Sequence, residues 1–251
     1  MEHISSRKNS ILVHMKKLAN DASYRRECGE YVCDGEKLLR EALSWRAEVL
    51  CVLWGGEKTM SLPQGIEEYS CPADVMQSVS PLKCSKGPVF SLRIPQRQDD
   101  CERISSAIVL ESVQDPGNVG TVIRTANAMN TGAVILVGDC AELFSPKTAR
   151  ATMGAIFRQR VIELDLEQLP GLLKRNGLRL YGAALSADSK DIRETELRGA
   201  AVAVGSEGRG LTEKLLSMCD GRLIIPMNSD CESMNAAVAA SVIMWEMRRN
   251  D

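Results

Sequence analysis

Residues Asp115 to Gly138, DPGNVGTVIRTANAMNTGAVILVG, constrain the fold more than any other stretch, because they spell a strand exit, a helix and a second strand in succession. The run Ala107–Leu110 before them is a short apolar strand, and Asp115, Pro116 and Gly117 break it with turn residues. Asn118 stands where a helix N-cap belongs. Val119, Val122, Ile123 and Ala126 follow at helical spacing and draw one apolar stripe, which puts Thr121, Arg124, Thr125 and Ala128 on a neighbouring face. Gly132 ends the helix and Ala133–Val137 forms the next buried strand, so the unit is a βαβ crossover with a polar opening. Taken alone, the helix favours the plainer reading, in which Arg124 only solvates its flank.

The same alternation runs on. Strand-like segments recur at Arg160–Glu163, Leu178–Ala184, Ala201–Val204 and Leu223–Ile225, separated by helical or glycine-rich stretches, which predicts a mostly parallel sheet covered by helices. Upstream, Ile11–Leu18, Tyr31–Cys33, Gly35–Trp45 and Val49–Trp54 suggest a smaller α/β module. Prolines and charges replace periodic apolar residues beyond Val89–Leu92. The division expected is therefore a first domain at 1–95, a linker at 96–104 and a second domain at 105–251.

Several function classes are excluded by composition. No apolar run is long enough to span a bilayer and the N-terminus lacks a signal-peptide core, so a cytoplasmic protein without membrane contact is expected. The nine cysteines form no CxxC pair, and the two histidines, His3 and His14, both lie in the first helix region, away from any ligand cluster. No metal site is expected. The net charge of -2 hides a basic N-terminus: Arg7, Lys8, Lys16, Lys17, Arg25 and Arg26 face only Glu2 and Asp21 within residues 1–26. Such a helix is either an electrostatic footprint for nucleic-acid phosphates or a solvated face.

In parallel sheets ligands bind beyond the carboxyl ends of strands, which singles out three further loops. They are Leu185–Ser189, Gly205–Leu211 (GSEGRGL) and the stretch from Ile225 into a long helix, IPMNSDCESMNAAVAASVIMWEM. The glycines of GSEGRGL permit close approach to a ligand, yet no Gly-Lys-Ser/Thr ending follows and Glu207 would repel a polyphosphate. A neutral or cationic nucleoside suits it better. In the last helix Ala236, Ala239, Ala240, Ile243, Met244 and Met247 share one face while Val238, Val242 and Trp245 occupy the other, which implies burial or a subunit interface.

Together DPGNVGTVIRTA, GSEGRGL and IPMNSDCESMNAAVAA, in this order and spacing, resemble the three motifs of the SpoU/TrmH family of RNA ribose 2'-O-methyltransferases in the SPOUT superfamily. SPKTARATMGAIFR, Ser145 to Arg158, is similar to another family segment, and the stretch from Ser6 to Leu43 resembles the L30e-like substrate-binding module that often precedes the catalytic domain. The resemblance implies an S-adenosylmethionine-dependent enzyme, a homodimer, and a parallel α/β domain tied in a deep trefoil knot. It places the catalytic roles on Arg124 and Asn118, with Glu207, Ser233 and Asn235. Cofactor contacts fall on Leu185, Ser186, Gly205, Glu207, Gly208, Ile225, Met227, Met234 and Asn235. Two departures stand out: Ser229 where many members have glycine, and Met234 where leucine is commoner.

For RNA the candidates are Arg7, Lys8, Lys16, Lys17 and Arg150, the last equally well explained as a salt-bridged surface residue. Ribosomal RNA is favoured over transfer RNA by analogy alone, and DNA is not expected. Two rivals are a nucleotide-binding kinase or dehydrogenase using the glycine-rich loops and a noncatalytic RNA-binding protein.

Overall fold

The computed structural model describes residues 1–81, 85, 87–95, 103–228, 230 and 233–249. The linker expected at 96–104 lies almost wholly outside the described residues, and so does Ser229. Packing divides the chain into two compact units, Met1–Gln98 with Glu142–Phe157 and Asp99–Ala141 with Arg158–Asp251.

The first unit runs β1 (Glu2–His3), α1 (Ser10–Asn20), α2 (Ala22–Cys28), β2 (Glu30–Asp34), α3 (Glu36–Ser44), β3 (Val49–Trp54), β4 (Glu67–Ser70), α4 (Ala73–Val79) and β5 (Val89–Arg93). The strands order as β1-β4-β3-β5-β2, with β5 antiparallel to both its neighbours and β4 parallel to both of its own. Asn9 caps α1 by accepting from the Ile11 amide at 2.9 Å, and Leu12, Met15 and Leu18 are buried on its inner face. His14 lies in this helix, but His3 lies in β1, not in the helix as the sequence suggested.

In the second unit come β6 (Ala107–Glu111), α5 (Pro116–Ala128) and β7 (Ala133–Val137). After α6 (Pro146–Ala151), which belongs to the first unit, follow β8 (Val161–Leu164), α7 (Leu169–Asn176), β9 (Arg179–Ala183), β10 (Lys190–Asp191), β11 (Ala200–Gly205), α8 (Glu213–Leu216), β12 (Gly221–Ile224) and α9 (Ala236–Arg248). The seven strands order as β10-β12-β9-β11-β6-β7-β8 and every pairing is parallel. This is the expected α/β architecture. Every residue of β6, β7 and β11 is buried, because helices cover both faces of a parallel sheet. Ala107, Val109, Ala201 and Ala203 pack with Leu169, Leu173 and Leu215 into one core. The stripe Val119, Val122, Ile123 and Ala126 is fully buried, and α5 packs beside α9.

Residues 142–157 were expected within the catalytic part, yet they pack with the first unit. The reason is a contact across 117 positions: Arg25, 4 % exposed, donates Nε to Glu142 Oε1 at 2.8 Å and Nη2 to Oε2, while Nη1 bonds the Leu18 carbonyl. Phe144 packs on Tyr31 with ring centres 4.8 Å apart, and Ala149 joins the core of β2 and α3. At Gly154, φ +93°, a Cβ would stand 2.8 Å from Glu41 Cγ, so the return of the segment needs glycine twice over. Arg25 is therefore removed from the basic surface counted in the sequence. Arg25→Ala strands the Glu142 carboxylate and the Leu18 carbonyl, and is expected to lower stability by about 3 kcal/mol, measured by urea unfolding; a midpoint matching wild type would show that the pair contributes nothing.

Candidate active site

β6 pairs with β7 on one side and, much later in the chain, with β11 on the other, so the strand order reverses direction there. The loops leaving β6, β9, β11 and β12 all emerge on the carboxyl edge of the sheet because the strands are parallel. The exits of β9, β11 and β12 line a cavity of about 400 Å³, within the range of nucleoside-sized ligand sites.

The turn after β6 differs in one respect from the sequence reading. Asp115, not Asn118, caps α5: its Oδ1 accepts from the Asn118 amide at 2.8 Å, and Pro116 occupies the first helical turn, where it loses no hydrogen bond. Asn118, one turn inside, is thereby released from capping and its side chain works elsewhere. Its Nδ2 donates to Glu207 Oε1, and its Oδ1 accepts from Asn235 Nδ2 at 3.1 Å. A carboxylate only accepts, so Glu207 dictates which way the Asn118 amide faces and leaves its oxygen for Asn235. Asn235 is itself anchored, since its Oδ1 caps α9 by accepting from the amides of Ala237 at 3.0 Å and Val238 at 3.2 Å. Three distant loops are thus joined by one amide.

Of the residues expected to hold a cofactor, Leu185, Gly205, Glu207, Gly208, Ile225, Met227 and Met234 line the cavity, together with Ser233. Ser186 and Asn235 do not: Ser186 bonds Asp188 and Ser189 within its own loop, and Asn235 points to Asn118. Glu207 is exposed and has no cationic partner among the described residues, so its charge is left to the cavity. Arg124 does not line the cavity. It stands six residues beyond Asn118, about 9 Å along the axis of α5, exposed and without a hydrogen-bond or ion-pair partner among the described residues.

The glycines of GSEGRGL have unequal tasks. A Cβ on Gly205 would lie 2.1 Å from the Gly210 carbonyl, because Ser206 and Gly210 pair across the neck of the loop. The space at Gly205 is therefore taken by the loop's own backbone, and it is Gly208 that stands open. Sequence reasoning missed Glu111, 4 % exposed, whose Oε2 accepts from the Thr212 amide and Oε1 from the Thr212 hydroxyl, each at 2.7 Å. The signal was a carboxylate closing an otherwise apolar strand. Arg209, also unforeseen, lines the cavity from the exposed tip of the loop.

The RNA candidates all belong to the first unit. Lys16 and Lys17 are exposed and border a hollow of about 520 Å³ that Arg7 also lines, although Arg7 is paired with Asp74 at 2.8 Å. Lys8 is exposed, and Lys17 Nζ sits 5.1 Å from the Tyr24 ring centre. Arg150 is exposed on α6 with no partner among the described residues. Among the described residues no group of His, Cys, Asp and Glu could hold a metal, and no helix is long and apolar enough to cross a membrane.

An all-parallel domain with a cavity at the carboxyl ends of its strands defines an α/β protein that takes a nucleoside-sized ligand. The SpoU rRNA Methylase family matches residues 105–245, more than half of the chain. The chain is 32 % identical over 255 residues to the 23S rRNA (guanosine(2553)-2'-O)-methyltransferase RlmP of Bacillus subtilis, covering 99 % of this chain and 100 % of that protein. It superposes with TM-score 0.87 on the AdoMet-bound rRNA methyltransferase from Sinorhizobium meliloti, at 25 % identity over 99 % of this chain and 98 % of that one. A putative RNA methyltransferase of the TrmH family from Porphyromonas gingivalis gives TM-score 0.85 at 26 % identity, over 96 % and 97 % of the two chains. This chain belongs to the SpoU rRNA methylase family.

Gly205→Ala is expected to force the loop neck apart and lower stability by about 1–3 kcal/mol, whereas Gly208→Ala should stay within about 0.5 kcal/mol of wild type. Guanidinium unfolding of the two variants checks the contrast, and equal midpoints would contradict the backbone crossing.

Proposed function

We propose that the protein transfers a methyl group from S-adenosylmethionine to a ribose 2'-hydroxyl of RNA, with ribosomal RNA as the substrate. The observation that carries the reading is Glu207, which lines the cavity and is tied through Asn118 to Asn235 at the start of α9. The residues present suit the cofactor. Leu185, Ile225, Met227 and Met234 offer apolar contact for its adenosine, and the unneutralised Glu207 favours a ligand of net positive charge. When bound, S-adenosylmethionine supplies an electrophilic methyl on a sulfonium.

A ribose hydroxyl is a weak nucleophile at neutral pH, so this chain's own residues have to stabilise the negative charge that develops on the oxygen. Arg124 is suited to that task as an exposed cation with no competing partner. A guanidinium stays protonated in proteins, so Arg124 acts by position and field while the proton leaves through an RNA phosphate or water. Asn118 ties the first turn of α5, the helix that carries Arg124, to Glu207, while Ser233 lines the cavity and Asn235 holds Asn118 from the start of α9. The first unit serves as an L30e-like RNA-capturing module through Lys8, Lys16, Lys17 and Arg150. The enzyme works in the cytoplasm as a homodimer with the chain around α9 tied in a trefoil knot; the exposed Val238 and Trp245 of α9, 50 % and 62 % accessible, support a subunit interface.

Arg124→Lys keeps charge but loses the planar fork, and is expected to retain RNA affinity while losing most turnover in a tritiated methyl-transfer assay; wild-type turnover would sink the role given to Arg124. Reversing both Lys16 and Lys17 to Glu should weaken RNA binding and reduce the slope of log K against log salt by about 1.4, with cofactor affinity intact by calorimetry. An unchanged slope would mark them as a solvated face. Mapping 2'-O-methyls in RNA from a deletion strain tests the substrate, and a loss confined to transfer RNA would overturn ribosomal RNA.

A further inference from the structure

We infer that Glu111 is a positioning residue for methyl transfer, holding both feet of the Gly205–Leu211 loop so that Glu207 meets Asn118. The inference rests on the function proposed above. Glu111 ends β6 in the middle of the sheet, where its backbone lies in register with Gly205 on one side and Val137 on the other. Gly205 is the first foot of the loop. The second foot is Thr212, and both of its donors, amide and hydroxyl, are bound by the two oxygens of the Glu111 carboxylate at 2.7 Å. One residue therefore grips the loop where it leaves the sheet and where it enters α8. Its main chain then continues through the turn that presents Asn118, seven positions on, to the Glu207 carboxylate on the same loop.

A purely architectural need does not account for the choice of side chain. Thr212 caps α8 through its hydroxyl, which accepts from the Leu215 amide at 3.2 Å, and an apolar residue at 111 would match the rest of the strand. A carboxylate buried to 4 % exposure with no cationic partner among the described residues is costly, and such a cost is expected where geometry at a working site must be fixed. The neck of the loop is closed by the Ser206–Gly210 pairing, so the loop moves as a unit about its two feet and displacement at Thr212 is delivered to Glu207.

The test compares Glu111→Gln, Thr212→Val and Thr212→Ser in the full-length protein, with tritiated methyl transfer and calorimetric binding of S-adenosylhomocysteine. Glutamine offers one acceptor in place of two, and valine removes the hydroxyl. Both variants are expected to lose between about tenfold and a hundredfold in kcat, with KM for RNA within about threefold, and to bind S-adenosylhomocysteine several-fold more weakly. The double variant should lose no more than the worse single one, because the two changes break one latch. Thr212→Ser, which restores both donors, should recover the wild-type values. The inference is overturned if folded Glu111→Gln or Thr212→Val keeps wild-type kcat and nucleoside affinity, or if Thr212→Ser fails to rescue. Should Glu111→Gln not fold, the Thr212 pair alone decides. A wild-type protein that binds S-adenosylhomocysteine without methylating RNA would reject the proposed function but leave the binding arm to judge Glu111.

Discussion

A parallel sheet buried on both faces cannot tolerate polar chemistry within it, and everything else in the second unit follows from that. All residues of β6, β7 and β11 are enclosed, so polar side chains can reach solvent or ligand only at the strand ends. Because the strands share one direction, the exits of β6, β9, β11 and β12 crowd onto one edge. The cavity is thus a by-product of topology, and the side chains on its rim decide what it can hold.

On that rim the economy of hydrogen bonds is strict. Asn118 serves as donor to one loop and acceptor to another, and neither role can be exchanged because Glu207 accepts only. The charge on Glu207 is oriented by this bond without being neutralised, which leaves a negative wall facing a ligand that carries positive charge. Arg124 and Arg209 are the counterweights, both unpaired among the described residues, one on α5 and one on the loop tip. Positive and negative groups held apart, with no ion pair between them, are available to a reaction instead of to each other.

The first unit shows how far a charge count can mislead. The basic N-terminus contains six cations in the sequence, but Arg25 is buried against Glu142 and Arg7 is matched by Asp74. What remains exposed and without an acidic partner among the described residues in that stretch is Lys8, Lys16, Lys17 and Arg26. The same Arg25 contact gathers residues 142–157 into the first unit, so Arg150 presents its charge there and not in the unit that holds the cavity.

By itself the sequence determined what depends on neighbours along the chain. The stripe Val119, Val122, Ile123 and Ala126 set α5 and its buried face, apolar runs set the strands, and the three motifs named the family, because helical period, strand composition and motif spacing are local properties. Even there the cap expected at Asn118 falls on Asp115, because proline prefers the first turn of a helix. Only the tertiary structure decided the rest: that Gly205 makes room for its own loop, that Glu111 seizes Thr212 across 101 positions, and that Arg25 seizes Glu142 across 117. Those contacts join residues whose separation in sequence carries no periodic signal, and a buried carboxylate or arginine looks, along the chain, like any other charged residue.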